Sequence, residues 1–182
     1  MGRLHSQFLN FLFFDMGSTN PFADISNRYA DLGASLRQPL VTRAVGAVIP
    51  FVDTAGCFIE AYTPTRVAVR LDNREAVQNH LGGVHAAALA LLAETASGLV
   101  VALNVPAESA PLLRTMEVSF DRYAQQAVQA EATLTTDESE HIQSRPIGRM
   151  HVDVTLTAPD DDETLVSSEL EWAWVPEEKL SG

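Results

Sequence analysis

The stretch Asn79-His80-Leu81-Gly82-Gly83-Val84-His85 runs directly into Ala86-Ala87-Ala88-Leu89-Ala90-Leu91-Leu92-Ala93-Glu94-Thr95-Ala96-Ser97-Gly98. The second half is rich in Ala and Leu and holds no Pro, which predicts a helix starting near His85 and capped at its first Gly, Gly98. The segment is apolar almost all the way round, so the helix is expected to be buried. Glu94 is the only formal charge between His85 and Gly98. A carboxylate in such a setting is a candidate for a displaced pKa and a chemical role.

The spacing constrains any such role. Nine residues at about 100° each put His85 and Glu94 on opposite faces of the helix, about 13 Å apart along its axis. One copy of the helix cannot bring both ends to one substrate. A site that uses both therefore needs a second subunit lying antiparallel to the first.

The pattern Asn79-x-x-Gly82-x-x-His85, followed by an acidic residue nine positions later inside a small-residue helix, resembles that of the hot-dog thioesterases. In those proteins Asn, Gly and His open the central helix and an Asp lies within it. Val77-Gln78-Asn79-His80 before the helix and Ala93-Glu94-Thr95-Ala96-Ser97-Gly98 within it are more similar still to the thioesterase-like DUF4442 group. The resemblance extends from about Pro50 to Trp174. It implies an α+β hot-dog fold, an antiparallel sheet wrapped around a long central helix, over residues 51–178. Residues 1–50 are then an N-terminal helical extension packing on that core.

The resemblance also implies a reaction, hydrolysis of acyl-CoA thioesters by a homodimer or a dimer of dimers. Such hydrolysis needs donors where charge grows on the carbonyl oxygen and a carboxylate that activates water or attacks directly. The first turn of a helix leaves backbone N–H groups unpaired at the positive end of its dipole. The resembling enzymes use the amide after the motif His, which corresponds to Ala86, and the carboxylate role falls to Glu94. Asn79 would orient the carbonyl or the water, Gly82 would let the loop turn tightly, and His85 would fix the loop.

This chain departs from the commoner His-Gly-Gly and Asp pattern at Ala86, Ala87 and Glu94. A non-catalytic acyl-binding or assembly module is therefore the alternative reading, with Glu94 a structural carboxylate paired to an Arg and Asn79 a turn former. A hydratase of this fold is disfavoured because no Asn-Pro-x-x-His element occurs. Thr115 lies near the place where related thioesterases carry a hydroxyl, but counting back from Phe120 brings Leu113 closer, so Thr115 is given no role.

Composition narrows the setting. With 182 residues the chain suits one domain, and 46% hydrophobic with 20% charged residues suits a soluble one. A net charge of −12 argues against nucleic acid and anionic lipid as partners. Arg66, Arg70, Arg74, Arg114 and Arg122 are the candidates to meet phosphates of coenzyme A. The lone Cys57 excludes an intrachain disulfide, no ligand cluster suggests a metal or cofactor, and a cytoplasmic location fits. Phe8 to Phe14 is too short and interrupted for a signal core or a membrane span.

Along the chain, residues 4–14 read as a short helix. A second helix starts from Asn20 as N-cap and Pro21, with a stripe Phe22, Ile25, Tyr29, Leu32 and Leu36, and a third spans Pro39 to about Val48 and ends before Pro50. Period-two patterns predict strands at Arg66–Leu71, Leu99–Leu103, Met116–Phe120, Val128–Leu134, Met150–Leu156 and Leu170–Trp174. A polar turn is expected around Thr136 to Glu140 and a solvated hairpin loop at Pro159 to Glu163.

Overall fold

The computed structural model describes residues 19–159 and 161–180. The helix expected over residues 4–14 lies outside them. Helix α1 is Pro21–Arg28, α2 is Ala34–Val48 and α3 is Pro50–Ala55. Strands β1 (Phe58–Thr63) and β2 (Arg66–Leu71) follow, then helix α4 (Ala86–Ala102). Strand β3 is Ser109–Phe120, β4 is Val128–Thr133, helix α5 is Thr136–Gln143, β5 is Gly148–Ala158 and β6 is Asp161–Pro176. The six strands form one antiparallel sheet in the order β1-β2-β4-β5-β6-β3.

The expected α+β plan holds: the sheet curls around α4, an apolar helix about 25 Å long. Leu89, Leu92, Leu99 and Val100 on α4 are buried against Val69, Val128, Val154, Leu170, Trp172 and Trp174 on the sheet. The alternating patterns of β4, β5 and β6 land as expected, with Val128, Ala130 and Ala132, then Val152, Val154 and Leu156, then Leu170, Trp172 and Trp174 facing the helix. Cys57 is a buried, free thiol just before β1.

Several sequence expectations need correction. Gly98 does not cap α4, and residues Leu99–Ala102 are helix rather than strand. A Cβ on Gly98 would sit 2.8 Å from the Trp172 ring, so glycine is there for close approach and not for a turn. The Phe22 stripe is not one helix: the chain breaks after Arg28 and restarts at Ala34, which leaves Leu32 and Leu36 exposed. Pro39 therefore lies inside α2 instead of opening it, and Pro50 opens α3 at its first position.

The polar segment Thr136–Glu140 is helical. Thr135 and Glu138 form a reciprocal capping box, which the Thr-x-x-Glu spacing encodes locally. Finally, the loop between β5 and β6 is shorter than Pro159 to Glu163, because β6 already begins at Asp161; Arg122 forms ion pairs with Asp161 and Glu163 there.

The two edges of the sheet differ. The β1 edge is closed by α2, whose side chains satisfy its free backbone groups. Thr42 Oγ1 accepts from the Ile59 N–H at 2.9 Å, Gln38 donates to the Glu60 carbonyl at 2.8 Å and Arg37 to the Tyr62 carbonyl at 2.8 Å. The β3 edge has no such cover from the described residues, and Met116 and Phe120 are 38% and 50% exposed on its helix-facing side.

Candidate functional site

The loop that opens α4 is built by short-range hydrogen bonds. The Asn79 N–H donates to the Gly83 carbonyl at 2.8 Å and the Gly82 N–H to the Asn79 carbonyl at 3.1 Å. Gly82 has φ of +79°, the left-handed conformation that L side chains rarely adopt. The Asn79 Oδ1 accepts from Leu81 N–H at 2.9 Å, Gly83 N–H at 3.3 Å and the Tyr123 hydroxyl at 3.4 Å. Its carbonyl oxygen is thus taken up by the loop itself, and its amide Nδ2 meets no acceptor among the described residues.

Two residues that the sequence did not flag brace this loop. Asn73 donates to the Gly82 carbonyl at 3.0 Å and to the Gln125 carbonyl at 2.8 Å. The Tyr123 ring presses on Gly83 so closely that a Cβ there would lie 2.5 Å from it. Both contacts reach across about 50 residues of chain or join a glycine to an aromatic, so local spacing carries no trace of them.

His85 is the N-cap of α4, with φ −66° and ψ 140°, and its Nδ1 accepts from the Ala87 N–H at 3.0 Å. That geometry requires an unprotonated Nδ1, with the ring proton on Nε2. The Ala88 and Leu89 N–H groups are taken by the His85 carbonyl. The Ala86 N–H meets no acceptor among the described residues. It is the free donor at the positive end of the helix dipole, and Ala86 is exposed.

Asn79, Gly82, His85 and Ala86 are thus brought together by one loop. Glu94 is not with them. It lies two turns further along α4, about 12 Å of helix from Ala86, and is only half-buried while its neighbours Ala93 and Thr95 are buried. Its carboxylate has no ion pair or hydrogen bond among the described residues. Burial in apolar surroundings raises its pKa above the ordinary carboxylate value. The nearby Cys57 thiol is pushed up to about 11 by its own burial, with Arg74 opposing and Glu94 reinforcing. Among the described residues no group of three His, Cys, Asp or Glu side chains is placed to hold a metal ion, and no helix is long and apolar enough to cross a membrane.

A long apolar helix wrapped by an antiparallel sheet, with an Asn-Gly-His loop at its start, defines the class as the hot-dog fold. Solved structures agree. A protein of unknown function from Pseudomonas aeruginosa, named a probable thioesterase, superposes with a TM-score of 0.68 at 23% identity, covering 76% of this chain and 95% of its own. A thioesterase family protein from Silicibacter pomeroyi gives 0.63 at 17% identity over 74% of this chain and 96% of its own. The thioesterase HI1161 from Haemophilus influenzae gives 0.62 at 14% identity over 74% and 90%. No curated protein matches by sequence. The chain belongs to the family described as Domain of unknown function (DUF4442), which matches residues 37–175.

Proposed function

We propose that this protein hydrolyses acyl-CoA thioesters at a site shared between two subunits. The observation that carries the reading is Glu94: a half-buried carboxylate, alone on an apolar helix, with no partner among the described residues and a raised pKa. Leaving a buried carboxylate uncompensated is costly unless the charge serves chemistry. Fold kinship with proteins called thioesterases supports the reaction class.

In this reading the Ala86 N–H of one chain holds the thioester carbonyl oxygen as it becomes an oxyanion. The partner chain's helix, lying antiparallel, brings its own carboxylate at the equivalent position. That carboxylate takes the proton of an attacking water and passes it to the departing coenzyme A sulfur as the carbonyl re-forms, or it attacks the carbonyl itself, expelling the thiolate, which takes a proton from water, and giving an anhydride that water then hydrolyses. Asn79 offers its Nδ2, since its Oδ1 is committed to the loop; His85 holds the loop rather than moving protons; Gly82 shapes it. The open β3 edge, with Met116 and Phe120 uncovered, is the surface through which a homodimer, or a dimer of dimers, would form. A reduced, buried Cys57 fits a cytoplasmic setting.

One observation favours a second reading, a non-catalytic acyl-binding module: the Asn79 oxygen is already consumed by its own loop. Thiol release from short, medium, long and aromatic acyl-CoA esters separates the two. The parent should turn over at least one of them, and Glu94→Gln should lose about 10²-fold or more of that rate. A variant as fast as the parent would remove Glu94 from the mechanism. Binding of acyl-CoA by the parent without turnover would select the module.

A further inference from the structure

Of the five arginines that the sequence offers to phosphates, Arg66 is paired to Glu131 at 2.6 Å, Arg70 to Asp72 at 2.7 Å and Arg122 to Asp161 and Glu163. Arg74 lies over Gly56 and donates to the Thr54 carbonyl at 3.0 Å. Neither Arg74 nor Arg114 meets a carboxylate among the described residues, and Arg114 has no side-chain hydrogen bond there either. It lines a groove of about 590 Å³ on the outer face of the sheet, away from α4, together with Arg145, Arg149 and His141.

The groove is constructed, not a chance gathering of surface side chains. Pairing of β3 with β6 runs Leu113 to Trp172 and then Thr115 to Glu171, so Arg114 is the extra residue of a bulge. Bulges re-aim side chains next to sites. Arg149 stands on β5 opposite Ala173. Arg145 is carried by the loop after α5, which is pinned where the Trp174 Nε1–H donates to the Arg145 carbonyl at 2.8 Å and Ser109 to the Pro146 carbonyl at 2.9 Å. Gly148 lines the groove with backbone alone and is held against Trp174 on the inner face, where a Cβ would fall 2.2 Å from the indole.

The charge is as unusual as the geometry. Glu171 is the one carboxylate lining the groove, 3.4 Å from Arg149. Arg114 and Arg145 have no ion pair among the described residues, on a chain whose acids outnumber its bases by 24 to 12. Gathering cations without their counter-charges is unfavourable in the free protein and favourable once an anion arrives. Planar guanidinium groups match phosphate oxygens in particular.

We propose that this groove binds a phosphate-bearing small molecule through Arg114, Arg145 and Arg149. Two sources carry that chemistry. One is a free phosphorylated metabolite. The other is the phosphates of coenzyme A bound for the partner chain's site, because antiparallel pairing of two β3 edges would bring one chain's groove towards the other's Asn79 loop. The second source rests on the functional reading above; the groove's affinity for phosphate does not.

Calorimetric titration of the full-length protein with pyrophosphate tests the proposal without any turnover, so a failure of the thioesterase reading leaves it intact. The parent should bind saturably, Arg114→Gln with Arg145→Gln should bind about tenfold more weakly or worse, and Glu171→Gln should bind more tightly. No saturable binding by the parent, equal binding by the double variant, or unchanged or weaker binding by Glu171→Gln would overturn it. Coenzyme A binding at least tenfold tighter than pyrophosphate, with that preference lost in the double variant, would identify the coenzyme as the source. Equal affinity would identify a free metabolite.

Discussion

The Trp172 indole lies against the α-carbon of Gly98, and its Nε1–H donates to Ser97 Oγ at 3.1 Å. This contact fixes how deeply α4 sits in the sheet. An alanine at position 98 gains about 1 kcal/mol of helix propensity but must push a rigid ring aside, at about 1–3 kcal/mol. Gly98→Ala should therefore lower the melting temperature by about 2–4 °C. Trp172→Phe should relieve much of that loss in the double variant, seen as non-additive melting shifts.

Removing the Ala86 N–H is possible without disturbing the helix. Ala86 is its first residue, where proline is well accommodated, and His85 before it has the extended conformation that a following proline requires. Ala86→Pro should fold and assemble as the parent does, yet lose about 10²–10³-fold in kcat.

Mixing Ala86→Pro with Glu94→Gln tests whether the site is shared. After denaturation and joint refolding, half of the dimers hold one chain of each kind, and one of their two sites combines an intact Ala86 amide with an intact Glu94. Activity should return to about a quarter of the parent's. No recovery would place both groups of each site in one chain.

Glu94 should make activity and stability respond oppositely to pH. Its folded pKa is raised, so the folded state holds a proton that the unfolded chain releases, and stability falls as pH rises through the folded value. Glu94→Gln should melt higher than the parent at pH 7–8, and the difference should vanish below the unfolded carboxyl pKa of about 4.3. Hydrolysis by the parent needs the ionised form, so kcat/KM should fall on acidification at a pH above that ordinary value. Melting curves and rate profiles across pH measure both.

The buried Asn104 ties three elements together. Its Nδ2 donates to the Pro64 carbonyl at 2.7 Å and the Val100 carbonyl at 2.8 Å, while its Oδ1 accepts from Ser139 at 2.6 Å and Gln143 at 2.8 Å. Asn104→Ala leaves these groups unpaired in the interior and should cost about 2–4 kcal/mol in denaturant unfolding.

The opening of α4 was legible because its determinants are local: an Asn, a left-handed Gly and a capping His within seven residues. The end of α4 was not, because Gly98 answers to Trp172, which is 74 positions away. The β4, β5 and β6 strands were legible from alternation, since each buries one face. The β3 strand was only half legible: it starts seven residues before Met116, and the bulge at Arg114 resets which side chains face the helix. Thr115 falls opposite Glu171 on the outer face while Leu113 faces inward, in keeping with giving Thr115 no role. In the candidate site, the loop residues were found together, but the commitment of the Asn79 oxygen and the braces Asn73 and Tyr123 depend on tertiary contacts.

The unequal edges of the sheet govern how copies of this chain can add to one another. Hydrogen bonding from Thr42, Gln38 and Arg37 occupies β1, so a neighbour cannot extend the sheet on that side. Among the described residues β3 is the edge left able to accept a strand, and in the proposed dimer that strand is another β3. Such a union uses up the free edge of both copies at once. Sheet extension would then stop at two chains, and the proposed pairing would spare a protein with a long exposed strand the open-ended stacking that two live edges permit.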